Sequence, residues 1–388
     1  MRIIYISNNW IANGSCTIYT TYNVWGIARN EVDTHLFVRN VSQGATEDLL
    51  NDYFNIEYPA NLKIHRIGKK FKKINIDYYW KVSRMVKELG DKDTVVITRT
   101  PKVLPYLLMI PGRKFRIFYE THNFFHDLKR RDDLKKINTA LYKNSLQERI
   151  ALRKIDGLIC LTETQKKLWE EYVDLPIHVI YPGLVSPVHE HRDMDEIYLA
   201  YTGALDNGRG IDHILEMAGH LPSNYHTFIF GGRRQDEIEK LQADLEDKEL
   251  EHKVTITGWM NQTELQNRLG KIHLGLLPLK NNFFNRHLTA PSKLFDYLSH
   301  SLPTVASPLP ALEELVGNHN LGILANWNHP DMVATHIVQL MSDMGRYRYL
   351  SDKVYEFALE HTWEKRGSKL VKALFEEERS EKKVGLNT

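Results

Sequence analysis

The 388-residue chain has little cysteine and no long apolar run, and both absences exclude whole classes of protein. Its two cysteines, Cys16 and Cys160, are too few for a disulfide scaffold or a cysteine-rich metal site, and they make a reducing cytoplasm the expected compartment. No apolar stretch approaches the roughly 18 residues that a membrane-spanning helix requires. The apolar N-terminal stretch is too short for a signal peptide and predicts a buried first strand.

Three common catalytic motifs are also missing. The chain has no G-x-x-x-x-G-K-[ST] loop, which argues against phosphoryl transfer by a P-loop enzyme. It has no G-x-S-x-G nucleophile elbow and no H-E-x-x-H zinc motif. Two acid-x-acid pairs, Asp91 with Asp93 and Asp193 with Asp195, lie in polar, loop-like stretches, so we predict no metal site.

Charge is unevenly distributed along the chain, although the net charge is only +2. Residues 1–180 contain 29 Lys and Arg against 20 Asp and Glu, whereas the remainder contains 22 against 29. The first half is therefore expected to meet something anionic, with nucleic acid, a phosphorylated substrate and a membrane surface as candidates. The basic segment Lys69–Lys73 suits an anionic membrane surface, and nucleic acid or a merely solvated loop are the alternatives.

Short apolar segments alternate with helical patterns, which indicates an α/β protein with buried parallel sheets. The predicted strands of the first half are Arg2–Ser7, His35–Val38, Leu62–Ile67, Thr94–Thr98, Arg116–Glu120, Gly157–Leu161 and His178–Tyr181. Those of the second half are Ile197–Thr202, His226–Phe230, Val254–Thr257, Leu274–Pro278, Pro303–Ala306 and Gly322–Leu324. Each half has enough strands for its own doubly wound, Rossmann-like sheet.

A polar stretch with two prolines separates the two halves. We predict a first domain over residues 1–183, a linker over 184–196 and a second domain over 197–360. Residues 361–388 are predicted to form a C-terminal helix and tail that pack back on the first domain. Two such domains are expected to face each other across a cleft, with ligands at the carboxyl ends of the strands.

Glycines and arginines follow two strands of the second half. Gly203 opens a glycine-rich turn before a helix, where Arg209 would add a cation to the N–H groups of the helix start. Gly231–Arg234 follows the next strand and offers a similar place for a diphosphate, with Arg233 as the contact. Plain turns with solvated arginines are the alternative.

The helix expected to start near Pro291 is the most informative segment. Proline suits the first helical turn, and Thr289 is a plausible cap. Ser292 and Lys293 stand at the helix start, where free N–H groups and a cation suit a diphosphate. Asp296, one turn further on, suits the two vicinal hydroxyls of a ribose. A surface ion pair between the lysine and the aspartate is the alternative.

The helical period divides this helix into a polar and an apolar face. The predicted polar face consists of Lys293, Asp296, Tyr297 and His300, and the apolar face of Leu294, Phe295 and Leu298. We expect the apolar face to pack on the sheet and the polar face to look out from the strand ends.

Two loops of the first half also follow strands. His122 comes at the end of one strand, where we expect it to contact the reacting group, although a structural histidine is the alternative. Gly14 lies in the turn after the first strand and is expected to form part of a nest for a phosphate or an acceptor. A simple turn is the alternative there.

Several runs of residues resemble one enzyme family. Pro291–Tyr297 followed by Leu302–Ser307 is similar to the "S-P-x-K-x-F-E-Y … G-x-P-V-V-A-S" segment of the group 1 (family 4) glycosyltransferases, which have the GT-B fold. Further runs that resemble this family are Leu161–Gln165, Val179–Gly183, Tyr201–Leu215, Thr257–Leu265 and Thr362–Glu364. The resemblance runs in order through residues 1–375 and is weak before residue 115.

The resemblance implies a hexosyltransferase that retains the configuration of the sugar. Its donor is expected to be a UDP- or GDP-sugar, and its acceptor a hydroxyl of a glycan or lipid-linked molecule in surface polysaccharide or lipopolysaccharide synthesis. No cofactor, essential metal or nucleic-acid partner is expected. A cytoplasmic location, peripheral at the inner face of the membrane, fits this role.

The resemblance also implies roles for individual residues. It places Arg209 and Lys293 on the diphosphate, Asp296 on the ribose, His122 near the donor sugar and Gly14 near the phosphate. The predicted catalytic residues are His122, Arg209 and Lys293. We find no well-placed carboxylate nucleophile, and this absence favours front-face attack over double displacement.

The sequence departs from the family at one informative position. Leu288 stands where the family has the first glutamate of its E-x7-E pair, so sugar recognition is expected from Asn285 or from the amides around Thr289. Asp296 replaces the second glutamate and is one methylene shorter. A nucleotide-sugar epimerase and a catalytically silent partner subunit therefore stay open as alternatives.

Overall fold

A computed structural model describes residues 1–8, 15–39, 56–68, 76–190, 192–205, 209–232 and 234–375, together with Thr46, Asp48, Leu50 and Phe54. The chain forms two compact units, each built on a parallel sheet with helices packed against it, which confirms the predicted fold class. The first unit comprises Met1–Gly183 and the helix Trp363–Phe375, and the second comprises Leu184–Thr362.

The first unit contains a seven-stranded sheet with the order β3-β2-β1-β4-β5-β6-β7. Its strands are β1 Arg2–Ile6, β2 Asp33–Arg39, β3 Leu62–Ile67, β4 Thr94–Thr98, β5 Arg116–Glu120, β6 Gly157–Cys160 and β7 Ile177–Val179. All of these strands pair in parallel. The inner strands are apolar on both faces because helices cover both sides of a parallel sheet, and the order reverses between β1 and β4.

The second unit contains a six-stranded sheet with the order β10-β9-β8-β11-β12-β13. Its strands are β8 Ile197–Gly203, β9 Tyr225–Gly231, β10 Val254–Ile256, β11 Leu274–Leu277, β12 Thr304–Ala306 and β13 Gly322–Leu324, all paired in parallel. The order reverses between β8 and β11. Ligands of doubly wound sheets bind at such a reversal, beyond the carboxyl ends of the strands.

Helices cover the sheets. In the first unit they are Ser15–Ala28, Ile76–Leu89, Leu104–Leu108, Thr139–Ala151, Glu163–Glu170 and Trp363–Phe375, with a 3₁₀ turn at Leu128–Arg130. In the second they are Ile211–His220, Gln235–Asp247, Gln262–Leu269, Phe283–His287, Ser292–Leu298, Pro310–Leu312, Pro330–Ser342 and Met344–Leu359, with a π turn at Glu313–Gly317. Among the helices of the described residues, none combines the length and the apolar character needed to cross a bilayer.

Within the predicted linker, residues 184–190 and 192–196 pack on the second unit. The backbone N–H of Leu184 donates to the carbonyl of His361 at 3.0 Å, and that of Val188 donates to Ser299 at 2.8 Å. The guanidinium of Arg192 donates to the carbonyl of His300 at 2.6 Å. These bonds satisfy helix-end carbonyls, so this segment is part of the second unit's structure and not a free connection.

The helix Trp363–Phe375 crosses the helix Ser15–Ala28 at very short range. A Cβ atom on Gly367 would lie 2.3 Å from the carbonyl oxygen of Gly26, so only glycine allows this approach. The contact places Arg366 inside the first unit, where 2% of the residue is exposed.

Candidate functional site

In the second unit, Lys293 lies beside the carboxyl end of β8. Its Nζ is 3.9 Å from the centroid of the Tyr201 ring, an ammonium stacked on an aromatic face. Only 7% of Lys293 is exposed, and the ring of Tyr201 is fully buried. The helix start at Ser292 thus delivers a largely desolvated cation to the point where the strand order reverses, next to the predicted glycine-rich turn.

Gly203 ends β8 beside this ammonium. Its φ is +122°, a conformation that L side chains rarely adopt. A Cβ atom built there would lie 3.5 Å from both Cε and Nζ of Lys293. Glycine therefore adds no side-chain atoms on this side of the ammonium, whereas any larger residue would pack against it.

Arg209 lies two residues before the helix Ile211–His220. Gly210 caps that helix in the left-handed conformation, with φ +71°. A side chain is excluded there, because a Cβ atom would lie 2.0 Å from the carbonyl oxygen of Pro278. The chain therefore places a cation and the free N–H groups of a ten-residue helix at the same end of the sheet as Gly203.

The face assignment of the helix Ser292–Leu298 is wrong for Tyr297. This residue is fully buried and packs in an apolar cluster that includes Ala200 and Phe230. Its hydroxyl accepts from the backbone N–H of Thr202 at 3.0 Å and donates to the carbonyl of Leu276 at 3.2 Å. Tyrosine has a polar tip on an apolar ring, and here the tip bridges β8 and β11 and fixes the helix on the sheet.

Asp296 is partly buried and contacts the helix Gln262–Leu269. Its Oδ1 accepts from the side-chain amide of Gln262 at 3.0 Å and from that of Gln266 at 3.4 Å. Burial raises the pKa of Asp296 to about 7, against these hydrogen bonds and the charge of Lys293, which lower it. The carboxyl group is thus held at a fixed position and poised between its two protonation states near neutral pH.

The residues before this helix have structural roles. Thr289 is buried, but Pro291 and not Thr289 occupies the cap position of the helix. Leu288 is buried too, and the side-chain amide of Asn285 donates to the carbonyl of Lys280 at 2.8 Å. Ser292, by contrast, is exposed.

Three predicted contacts lie outside the described residues: Gly14, Arg233 and the basic segment Lys69–Lys73. Their roles stay predictions. Arg234, the neighbour of one of them, forms an exposed ion pair with Asp236 at 2.7 Å.

In the first unit, His122 lies beside a buried polar cluster at the end of β5. Its Nε2 is 3.4 Å from Oε1 of Glu120. The guanidinium of Arg366 donates to the same oxygen at 2.8 Å, and both partners are 1% exposed. The hydroxyls of Tyr5 and Tyr19 also donate to Glu120.

The charges in this cluster set the protonation of His122. Burial opposes ionisation of Glu120, but Arg366, then His122 and Arg99, hold the pKa of that carboxyl well below its usual range. Burial and the nearby charge of Arg99 lower the pKa of His122 to about 4, although Glu120 acts in the other direction. The imidazole is therefore neutral at physiological pH, while the carboxylate beside it is ionised.

Sequence reasoning missed the roles of Tyr201, Glu120 and Arg366. Tyr201 lies two residues before Gly203, and Glu120 lies two residues before His122; residues two apart in an extended segment lie on the same face. The position of the two residues was thus a usable signal. Arg366 offers none, because 246 residues separate it from its partner Glu120.

Comparisons with known proteins fit this geometry. Residues 196–343 match the family model described as "Glycosyl transferases group 1". This range includes the contacts described above for Lys293, Asp296 and Tyr297. An uncharacterized glycosyltransferase of Methanocaldococcus jannaschii is 22% identical over 232 residues, which are 59% of this chain. The match spans 63% of that relative, so the chain covers a little under two thirds of its length.

Solved structures share the fold of the whole chain. Anabaena HepE in complex with UDP and glucose superposes with a TM-score of 0.73 at 13% identity, covering 97% of this chain and 100% of that one. WaaG, a glycosyltransferase involved in lipopolysaccharide biosynthesis, superposes with a TM-score of 0.66 at 13% identity, covering 96% and 100%. The chain therefore has the GT-B fold, and residues 196–343 of its second unit match the group 1 glycosyl transferase model.

Proposed function

We propose that this protein is a glycosyltransferase that moves a hexose from a UDP- or GDP-sugar to a hydroxyl of a glycan or lipid-linked acceptor, with retention of configuration. The observation that carries the proposal is the largely buried ammonium of Lys293 beside the carboxyl end of β8. It lies within the segment that matches the group 1 glycosyl transferase model. Surface polysaccharide or lipopolysaccharide synthesis at the cytoplasmic face of a membrane is the proposed setting.

Lys293 and Arg209 would meet the charge of the donor diphosphate. A cation with little access to water interacts strongly with an anion, because the local dielectric is low. The free N–H groups at the start of the helix Ile211–His220 add a partial positive charge at the same sheet end. We expect these groups to neutralise the diphosphate without a metal, so that added EDTA leaves the activity unchanged.

The reaction we propose breaks the bond between the anomeric carbon and the diphosphate oxygen. Negative charge then grows on the diphosphate, and fixed cations stabilise the transition state more than the ground state. The acceptor oxygen forms its bond to the anomeric carbon from the same face. Its proton passes to the departing diphosphate oxygen, so no protein carboxylate is needed as a nucleophile.

His122 is proposed to contact the transferred sugar. Because its pKa is lowered to about 4, the neutral ring has one N–H donor and one acceptor nitrogen at physiological pH. Such a ring can hydrogen-bond a sugar hydroxyl without repelling the positive charge that develops on the sugar. Glu120 lies 3.4 Å from Nε2 and would orient the ring.

Asp296 is proposed to accept hydrogen bonds from the ribose hydroxyls, and this role predicts a pH-dependent donor affinity. Only the carboxylate can accept from both hydroxyls, and the pKa of the free enzyme's Asp296 is about 7. Dissociation constants for a nucleotide sugar should therefore fall roughly tenfold between pH 6 and pH 8. Isothermal titration calorimetry with the intact nucleotide sugar measures this change, since its diphosphate diester does not titrate in that range.

The control is the Asp296→Asn variant. An amide keeps the shape of the side chain and does not titrate, so its donor affinity should be weaker and independent of pH. A wild-type affinity that stays flat between pH 6 and pH 8, or a variant that keeps the wild-type slope, would contradict the assignment of the ribose to Asp296.

The proposed function is tested by screening UDP- and GDP-sugars for a thermal shift and then for release of free nucleoside diphosphate. Transfer predicts nucleoside diphosphate release that depends on an acceptor, and a product whose anomeric configuration matches the donor. A new sugar nucleotide formed without an acceptor would identify an epimerase. Binding without turnover, or no binding, would identify a silent subunit, the alternative that the leucine at position 288 favours.

A further inference from the structure

An apolar stripe runs along the exposed side of the helix Thr139–Ala151. Tyr142, Leu146 and Ile150 are 62%, 60% and 51% exposed. A spacing of four residues places these three side chains one above another on the same face. Single exposed apolar residues are ordinary, but a continuous stripe on the solvent side of a helix marks an interaction surface.

Positive charge flanks the stripe on both sides. Lys143, Arg149, Arg153 and Lys154 are all exposed, and their spacing places them around the same face. None of their side chains forms an ion pair within the part of the chain that the structure describes. Four exposed cations beside a row of apolar side chains suit an occupant that is both anionic and apolar.

The only acidic residue of this helix points the other way. Glu148 is fully buried, where its carboxyl group accepts from the hydroxyl of Tyr119 at 3.0 Å and from the backbone N–H of Phe125 at 2.8 Å. These contacts fix the rotation of the helix about its axis. The stripe is therefore held outward by the packing of the inner face.

A groove of about 780 Å³ opens beside the stripe. Leu146, Arg149 and Arg153 line its helical side, and Tyr172 and Leu175 line the facing side. One carboxylate, that of Asp174, also borders it. Two guanidinium groups over a partly apolar groove match a phosphate head group joined to an acyl chain.

We propose that this face, Tyr142–Ile150 with its four flanking cations, docks the first unit on an anionic lipid bilayer. The apolar side chains enter the boundary between head groups and acyl chains, and the cations pair with lipid phosphates, as in helices that lie in the plane of a membrane. The proposal adds a specific surface to the predicted membrane partner of Lys69–Lys73. It does not depend on the sugar-transfer chemistry.

Vesicle flotation tests the proposal with the full-length protein. The wild type should bind vesicles of phosphatidylcholine with 30% phosphatidylglycerol, bind pure phosphatidylcholine weakly, and be released by salt. Arg149→Ser with Arg153→Ser should weaken partitioning roughly 30-fold, since each cation near such a surface contributes a factor of roughly five. Leu146→Ser with Ile150→Ser should weaken it by a similar factor and leave salt sensitivity in place.

The matched control is Met332→Ser with Tyr349→Ser, which removes exposed apolar side chains from the second unit. This pair should bind the vesicles as the wild type does. Circular dichroism melts that match the wild type in all variants will show that the substitutions leave the protein folded.

Three outcomes would overturn the proposal. The first is vesicle binding that neither stripe variant alters. The second is a dimer in light scattering that the Leu146→Ser, Ile150→Ser variant dissociates, which would make the stripe a contact between copies of the chain. The third is binding of the wild type to a single-stranded RNA, weakened by loss of the two arginines, without any binding to anionic vesicles.

Discussion

Lys293→Met is expected to reduce nucleoside diphosphate release by roughly 100- to 1,000-fold, the usual cost of removing one preorganised charge from a transition state. The donor dissociation constant should rise less than the rate falls, because the charge on the diphosphate is largest when the sugar departs. Single-turnover rates and calorimetric titration with the nucleotide sugar identified by screening measure the two effects separately.

The fold should survive this change. The ammonium of Lys293 is largely desolvated and lies over the ring of Tyr201. Taking a charge out of water is costly, so replacing it by a methionine of similar length should leave the free energy of unfolding within about 1 kcal/mol of the wild type. A loss of activity with an unchanged unfolding midpoint separates a role in binding and catalysis from a structural one.

Lys253→Met is the matched control. Lys253 precedes β10 and donates to the carbonyls of Gly219 and Leu221, at the opposite end of the sheet from the strand ends discussed above. Its replacement should change the free energy of unfolding only modestly, and it should change the turnover of the folded protein by less than threefold. If Lys293→Met turns over like the wild type, or if both variants lose activity equally, the diphosphate does not bind where we propose.

The strands were predictable because burial on both faces makes each of them a short, continuous run of mostly apolar residues. β3, β4, β5 and β13 begin and end at the predicted residues, and the other strands differ by up to two residues at either end. Helix ends were less accurate. The helical pattern of the sequence extends back to Leu134, but the helix begins only at Thr139, since the side chain of Asn138 caps it by accepting from the N–H of Leu141.

Contacts of the candidate site between a strand end and a nearby helix start were predictable, whereas the contacts between segments distant in sequence were not. Lys293 and Gly203 follow from strand–turn–helix positions, and the structure brings them together. The role of Tyr297 does not follow, because a helical period cannot say whether the hydroxyl of a tyrosine faces solvent or a backbone N–H of the sheet. The pairing of Arg366 with Glu120 depends on the return of the chain from the second unit to the first.

Arg366→Met is expected to destabilise the first unit by about 3–5 kcal/mol, because it leaves the buried carboxylate of Glu120 without its cation. Glu120→Gln should cost a comparable amount by leaving the guanidinium unpaired. The double variant should cost less than the sum, since neither charge then remains buried alone. Urea unfolding gives the three values, and hydrogen exchange over Trp363–Phe375 shows whether the helix itself opens.

An exposed ion pair provides the comparison. Lys353 and Glu356 lie 2.6 Å apart on the surface of the second unit, where solvent screens their attraction, so Lys353→Met should leave the urea unfolding midpoint nearly unchanged.

The buried cluster should also control His122. Without the carboxylate at 3.4 Å, the ring loses its orienting partner, and Glu120→Gln should lower turnover even at temperatures where the variant is fully folded. If folded Glu120→Gln turns over like the wild type, the cluster serves only to join the last helix to β5. If turnover falls while donor affinity is unchanged, the cluster also positions the histidine.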